Sequence, residues 1–180
     1  SCGTTDGNIV SVTIDPVTVG GAVTPDRTVC QGSTSGLLTL GGGSIGDVTQ
    51  WWVDDGGGYM AIPGTAGLTS YTSGNLNTPG TYRYRAEIKS GECNTELSTP
   101  AVITVDETSA GGILSGANDI CNGEDPSALS LQGGTYVGGV VRWEVDVNSS
   151  GFTTVGGASG TSYDPPSTTT AGTHDYRVVI

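Results

Sequence analysis

The clearest alternation of apolar and polar side chains lies at residues 81–88. Tyr82, Tyr84, Ala86 and Ile88 alternate there with charged residues. A period of two predicts a β-strand with one side facing a core. Weaker patterns, separated by Gly-rich turns, predict strands over 21–29, 36–40, 48–53, 59–62, 69–72 and 97–105. In the third of these, the alternation predicts that Trp52 faces the core and Trp51 faces water.

The chain repeats itself at a spacing of 91 residues. The spacing relates Cys2 to Cys93, Cys30 to Cys121, and Trp52 to Trp143. One inserted residue, placed near position 155, then changes the spacing to 92, which relates Tyr84 to Tyr176. We therefore expect equivalent cores in two copies, built on Trp52, Trp143, Tyr84 and Tyr176. The length of the repeat is that of a whole small β-sandwich.

These patterns predict an all-β protein of two tandem immunoglobulin-like antiparallel β-sandwiches in a permuted frame. Residues 1–19 correspond to 92–110, which hold the last strand of the first copy and a linker. The predicted organisation is a last strand with its linker at 1–19, a complete module at 20–105, and a module at 106–180 without its last strand. An incomplete sandwich exposes core and strand edges.

Two arrangements would supply the strand that the second module lacks. Sequence beyond Ile180 could provide it, if the chain is part of a longer tandem array. Alternatively, residues 1–19 could insert into the second module of a neighbouring copy, as in donor-strand β-augmentation. Because that contact is heterologous, repetition would produce an open head-to-tail fibre. The sequence leaves both arrangements open, and both join modules end to end.

Composition narrows the possible partners. The 180 residues include 31 Gly and carry a net charge of −12. That charge repels nucleic acid and anionic membrane surfaces, so we expect neither as a partner. No apolar stretch is long enough for a membrane span, so we expect no membrane insertion. The chain starts at Ser1, which is expected of a processed product or of part of a longer protein.

The four cysteines recur periodically and form no CxxC pair, which favours disulfides in an oxidising compartment over a metal or redox site. Cys30 could pair with Cys93, leaving Cys121 for a residue of the Cys2 type, such as that of a neighbour. Cys2 with Cys30 and Cys93 with Cys121 is a second scheme. A bond across a module junction is a third.

Candidate catalytic and metal-binding residues are few. The single histidine, His174, lies on a predicted strand where the first copy has tyrosine, so packing is favoured over catalysis. Asp146, Asn148 and Ser150 follow the first half of a Ca²⁺ loop, but no Glu follows at the twelfth position, and a hairpin turn is favoured. We therefore expect no enzyme activity and no cofactor. A solvated outer face of the sheet is favoured for Trp51, and the alternative is a platform for stacking on a sugar.

Several motifs together resemble a known family. They are Cys30-Gln-Gly32 and Cys121-Asn-Gly123 before a Leu-x-Leu strand, a Trp strand, a Tyr-x-Tyr-Arg strand and a Gly-x-Cys turn. The chain resembles the tandem Ig-like repeats of large secreted and cell-surface adhesins of Bacteroidetes-type bacteria, which include gliding-motility adhesins and are associated with type IX secretion. The resemblance implies an extracellular, non-enzymatic repeat of an adhesin shaft or filament, whose partners are copies of itself or adjacent repeats. The alternative is a carbohydrate- or protein-binding module of a larger secreted protein.

Overall fold

The computed structural model describes Cys2 and residues 7–180, and the described residues form strands without any helix. They divide into two compact units, Ser1–Asp106 (unit 1) and Glu107–Ile180 (unit 2). The prediction of an all-β fold with two tandem sandwich units is confirmed.

The described residues contain no helix with the length and apolar character needed to cross a membrane.

Unit 1 is an immunoglobulin-like sandwich of two sheets. One sheet has the order β1-β3-β6, and the other has the order β2-β9-β7-β4-β5, with β8 also paired to β7. All pairs are antiparallel except β2 with β9. The strands are β1 (Ala22–Thr24), β2 (Arg27–Cys30), β3 (Leu38–Gly41), β4 (Asp47–Asp54), β5 (Tyr59–Ile62), β6 (Ser70–Tyr71), β7 (Gly80–Lys89), β8 (Glu96–Leu97) and β9 (Ala101–Asp106).

The core of unit 1 lies between these sheets. The side chains of Trp51, Tyr71 and Tyr84 form a line, with ring centroids 5.7 Å and 5.9 Å apart. The Trp51 indole Nε1 donates to the carbonyl oxygen of Leu68 at 2.7 Å, which satisfies the polar atom of this buried side chain. Burial raises the pKa of Tyr84 to about 12. On β7 the predicted inward side is confirmed, because Tyr84, Ala86 and Ile88 are buried.

The prediction that Trp52 is the core tryptophan is wrong. Trp51 is fully buried and Trp52 is only partly buried. The cause is a β-bulge on β4, where the register with β7 shifts between Val48 and Gln50. One extra residue reverses the alternation, so Val48 and Trp51 both face the core.

Unit 2 has fewer strands, again in two sheets. The sheet orders are β10-β11-β14 and β13-β12-β15, and all pairs are antiparallel. Its strands are β10 (Leu114–Ser115), β11 (Leu129–Leu131), β12 (Arg142–Val147), β13 (Thr153–Thr154), β14 (Ser162–Tyr163) and β15 (His174–Val179).

Trp143 holds the place in unit 2 that Trp51 holds in unit 1. It is fully buried, its Nε1 donates to the Gly160 carbonyl oxygen at 2.8 Å, and its ring centroid is 5.7 Å from that of Tyr163. The Tyr163 centroid is in turn 5.9 Å from that of Tyr176. The true counterparts, Trp51 and Trp143, are therefore 92 residues apart.

The change of spacing occurs earlier than the sequence suggested. Val19 bridges Ile45 in unit 1, and Ala110 bridges Val137 in unit 2. Val19 and Ala110 are 91 positions apart in the sequence, whereas Ile45 and Val137 are 92 positions apart. The inserted residue therefore lies in the turn between Leu131 and Val137 rather than near position 155.

Unit 2 also contains a buried carboxylate that the sequence patterns did not reveal. Glu144 on β12 is buried and accepts from the Nε atoms of Arg142 and Arg177, both at 2.7 Å. The Arg177 guanidinium lies 3.9 Å from the ring centroid of Phe152. Hydrogen bonds from Arg142 and then Arg177 lower the pKa of Glu144 below its ordinary value near 4.5.

We expect Glu144→Gln to lower the melting temperature of unit 2 at neutral pH. Because the pKa of Glu144 is lower in the folded state, its stabilising effect is complete above the unfolded value and is lost as the pH falls through the folded value. The difference in melting temperature from the unsubstituted chain should therefore be constant well above the ordinary pKa near 4.5 and should shrink as the pH falls below that value. Calorimetry at several pH values measures it. The exposed Glu107→Gln provides a control, and an unchanging difference would contradict the assignment.

Candidate strand-acceptor groove

A groove of about 800 Å³ opens on unit 2. One wall is the segment 114–122, and the other is formed by 170–176, at the beginning of β15. Leu129 and Pro165 also line it. All of these residues belong to unit 2, so the groove is a feature of that unit alone.

In unit 1 the corresponding space is filled by β9. This strand lies between β2, to which it is parallel, and β7, to which it is antiparallel. It buries Ala101, Ile103 and Val105 in the core. Residues 107–180, all described, contain no counterpart of β9, and β15 pairs only with β12. The groove is the empty position of this strand.

The missing strand leaves an unpaired edge on each of the two elements of unit 2 that would lie beside it, segment 118–121 and β15. Segment 118–121, the counterpart of β2, is not a strand, because the parallel partner that would hydrogen-bond to it is missing. On β15, Tyr176 and Val178 are partly exposed, whereas their counterparts Tyr84 and Ala86 are buried. Unit 2 thus presents an unpaired strand edge beside uncovered apolar side chains, which is a template for strand addition.

The N-terminal segment is an apolar stretch of chain that lacks a sheet to pair with. Residues 7–18 are not in a strand, and Ile9, Val10, Val12 and Ile14 are 84–95% exposed. Val10, Val12 and Ile14 are the repeat counterparts of the buried Ala101, Ile103 and Val105. Fully burying side chains of this size is worth about 1.5–3 kcal/mol each. The predicted surplus strand at 1–19 is therefore present as an exposed apolar segment; residues 1 and 3–6 of it lie outside the described residues.

The segment is anchored to unit 1 at its C-terminal end only. Val19 exchanges two backbone hydrogen bonds with Ile45, at 3.0 and 3.1 Å. The Thr18 hydroxyl accepts from the Ser90 amide at 3.0 Å, and the Asp15 carboxylate accepts from the Glu92 amide at 3.0 Å. These contacts hold residues 15–19 against unit 1, and the exposed residues 7–14 precede them.

The four cysteines, all within the described residues, are free thiols in this structure. Cys30 ends β2 opposite Asp106, and Val105 pairs with Gly80, the first residue of β7. Cys93 follows the other end of that ten-residue strand. The strand is roughly 30 Å long, whereas a disulfide needs Cα atoms within about 7 Å. Pairing of Cys30 with Cys93 within unit 1 is therefore excluded.

His174 makes the contact that its tyrosine counterpart makes in unit 1. Its Nε2 lies 3.1 Å from the Thr170 carbonyl oxygen, while the Tyr82 hydroxyl donates to the Thr78 carbonyl oxygen at 3.0 Å. The ring lines the groove at the beginning of β15. It occupies a packing position at the edge of the missing strand.

Of the candidate Ca²⁺ residues, Asp146 lies near the end of β12, and Asn148 and Ser150 lie in the turn between β12 and β13. Asp146 Oδ1 accepts from the Gly151 amide at 3.0 Å, and Asn148 Oδ1 accepts from the Thr173 amide at 3.0 Å. Asn148 and Ser149 have positive φ, which suits a tight turn. Ser150 continues the turn through its amide, which donates to Val147. The described residues hold no cluster of three or more His, Cys, Asp and Glu that could bind a metal ion.

The proposed sugar platform at Trp51 is wrong, because the bulge on β4 turns this side chain into the core, where it is fully buried. The partly exposed tryptophan is Trp52, opposite Arg85 in the neighbouring strand. The Arg85 guanidinium covers the Tyr59 ring, 3.5 Å from its centroid. This face is filled by side chains that pack on one another.

Comparison with known proteins identifies one family. The model of the family described as Domain of unknown function (DUF8696) matches residues 19–107 and again residues 110–180. The first match includes β9, and the second ends with β15. A search of curated proteins found no match.

Proposed function

We propose that this chain, which belongs to the DUF8696 family and carries two of its domains, is an extracellular, non-enzymatic structural protein. Its units are joined head to tail in the shaft of a surface adhesin or a filament. Each junction is made when residues 8–15 of one copy insert into the groove of unit 2 of the next. One observation carries the proposal: the exposed segment is the sequence counterpart of the strand that the groove lacks.

The register follows from unit 1. There, Ile103 pairs with Tyr82 on β7 and with Arg27 on β2. By repeat equivalence, Val12 of the donor pairs with His174 and Asn118 of the acceptor. Val10 then pairs with Tyr176 and Ile14 with Gly172, because Ala101 pairs with Tyr84 and Val105 with Gly80 in unit 1.

The charge distribution fits this insertion. Residues 8–15 are the donor segment, and its positions 8–14 carry no ionisable side chain, so the segment places no charge in the core of the acceptor. The net charge of −12 opposes other contacts between copies. Specificity then comes from the alternating side chains and the hydrogen bonds of the inserted strand.

The proposal is tested by a single charge placed in the donor segment. We expect the full chain to form concentration-dependent head-to-tail oligomers in reducing buffer at about 0.15 M salt. Val12→Asp should abolish them, because its carboxylate would be buried without a partner. Thr13→Asp is the matched control, since its counterpart Thr104 is only partly buried. Light scattering after gel filtration measures the mass.

Two outcomes would contradict the proposal. One is a full chain that remains monomeric at every concentration. The other is an oligomer that forms equally well from the Val12→Asp variant, since the contact would then not involve the core side of the donor segment. Negative-stain microscopy of the oligomers distinguishes head-to-tail strings from compact aggregates.

A further inference from the structure

Cys93 lies against the end of the donor segment. Its Sγ is 3.3 Å from the carbonyl oxygen of Pro16 and 3.9 Å from that of Asp15. The neighbouring Glu92 amide donates to the Asp15 carboxylate, which fixes this end of the segment on the turn that carries the thiol. Cys93 is partly exposed. The C-terminal end of the donor segment therefore lies beside a thiol of its own chain.

Cys121 lies where that strand must arrive. In unit 1, Cys30 is paired with Asp106, and the Gln31 amide donates to the Asp106 carbonyl oxygen at 2.8 Å. Asp15 is the repeat counterpart of Asp106, and Cys121 is that of Cys30. Insertion in the register of β9 therefore places the acceptor's Cys121 opposite the donor's Asp15, about 4.8 Å away between backbones. Cys121 is exposed, and it lines the groove.

We propose that Cys93 of the donor and Cys121 of the acceptor form a disulfide across each junction. The inference depends on the proposed strand insertion, because both thiols approach Asp15 only when the donor segment occupies the groove. The bond makes the head-to-tail contact covalent. It uses one cysteine from each of two copies, and it leaves Cys2 and Cys30 outside the bond.

A small-molecule disulfide such as oxidised glutathione supplies the oxidising equivalents. One protein thiolate attacks a sulfur of the reagent and releases one glutathione thiolate, which leaves a mixed disulfide. The second protein thiolate then attacks the protein sulfur of the mixed disulfide and releases the second glutathione. Two protein thiols lose two protons and two electrons, and one glutathione disulfide becomes two glutathione thiols.

The experiment uses the full chain, oxidised with glutathione disulfide and examined by non-reducing SDS gel electrophoresis. We expect a ladder that collapses with added thiol. In chains that carry Cys2→Ser and Cys30→Ser throughout, the ladder should be retained, and adding either Cys93→Ser or Cys121→Ser should remove it. A mixture of the Cys93→Ser and Cys121→Ser variants should stop at the covalent dimer, and peptide mapping should find Cys93 joined to Cys121.

Separate outcomes distinguish this inference from the function on which it rests. Oligomers in reducing buffer with no ladder after oxidation would overturn the disulfide and leave strand insertion standing. A ladder that persists in the Val12→Asp variant would also overturn it, because the bond would then form without insertion. A monomer in reducing buffer would overturn strand insertion itself.

Discussion

Replacing Trp51 by alanine should lower the free energy of unfolding of unit 1 by about 3–5 kcal/mol. The indole is fully buried and is the first ring of the line that continues through Tyr71 and Tyr84. Its removal leaves a cavity and deprives the Leu68 carbonyl oxygen of its donor. Urea unfolding of the full chain, followed by hydrogen exchange in each unit, measures the loss and assigns it to unit 1.

The neighbouring tryptophan provides the control. Trp52 differs by one position but is partly exposed, and among the described residues nothing accepts from its Nε1. Trp52→Ala should therefore cost less than Trp51→Ala. Equal losses, or a larger loss at Trp52, would contradict the bulge on β4 as the feature that selects the core side chain.

A synthetic peptide of residues 7–17 should stabilise unit 2 and leave unit 1 unchanged. The peptide would fill the groove, cover the exposed faces of Tyr176 and Val178, and pair with the free edge of β15. At a free concentration 100 times Kd, mass action gives a stabilisation of about 2.7 kcal/mol. The measurement is calorimetry on the full chain carrying Val12→Asp, in which the chain's own donor segment does not compete.

The matched control is the same peptide with Val12→Asp, which should give no stabilisation. Hydrogen exchange provides a second readout. The free amides of β15 and of segment 118–121 should become protected only with the unsubstituted peptide, because those amides face the position of the added strand. Stabilisation of both units, or protection elsewhere in unit 2, would show that the peptide binds another surface.

The fold could be predicted because its main signals are local. The alternation on β7 gave the correct buried side, and repetition indicated two sandwiches. The choice between Trp51 and Trp52 depended on a bulge, which is fixed by pairing with β7 and leaves no trace in the spacing of β4 itself. The position of the inserted residue is hidden for the same reason, because the 91-residue spacing relates Trp52, and not Trp51, to Trp143.

The sequence predicts the candidate site only indirectly, as an extra strand at residues 1–19 and a missing last strand in the second module. The shape of the groove depends on segment 118–121, which is not a strand because its partner is missing. Sequence periodicity grouped the cysteines by type, but their separation along β7 excludes the pairing within unit 1. The approach of Cys93 to Asp15 and the burial of Glu144 are tertiary contacts that no local pattern encodes.

The parallel neighbour of β9 has a consequence for tension. In unit 1 this strand is hydrogen-bonded along both edges, to β2 on one side and to β7 on the other. A donor strand held in the same way in unit 2 and pulled along its length would load both ladders in shear, so their bonds must break together rather than one after another. Strand insertion would then give a junction that breaks abruptly and only at high force. The groove, which leaves unit 2 incomplete by itself, would become the part of the assembled shaft that resists tension most.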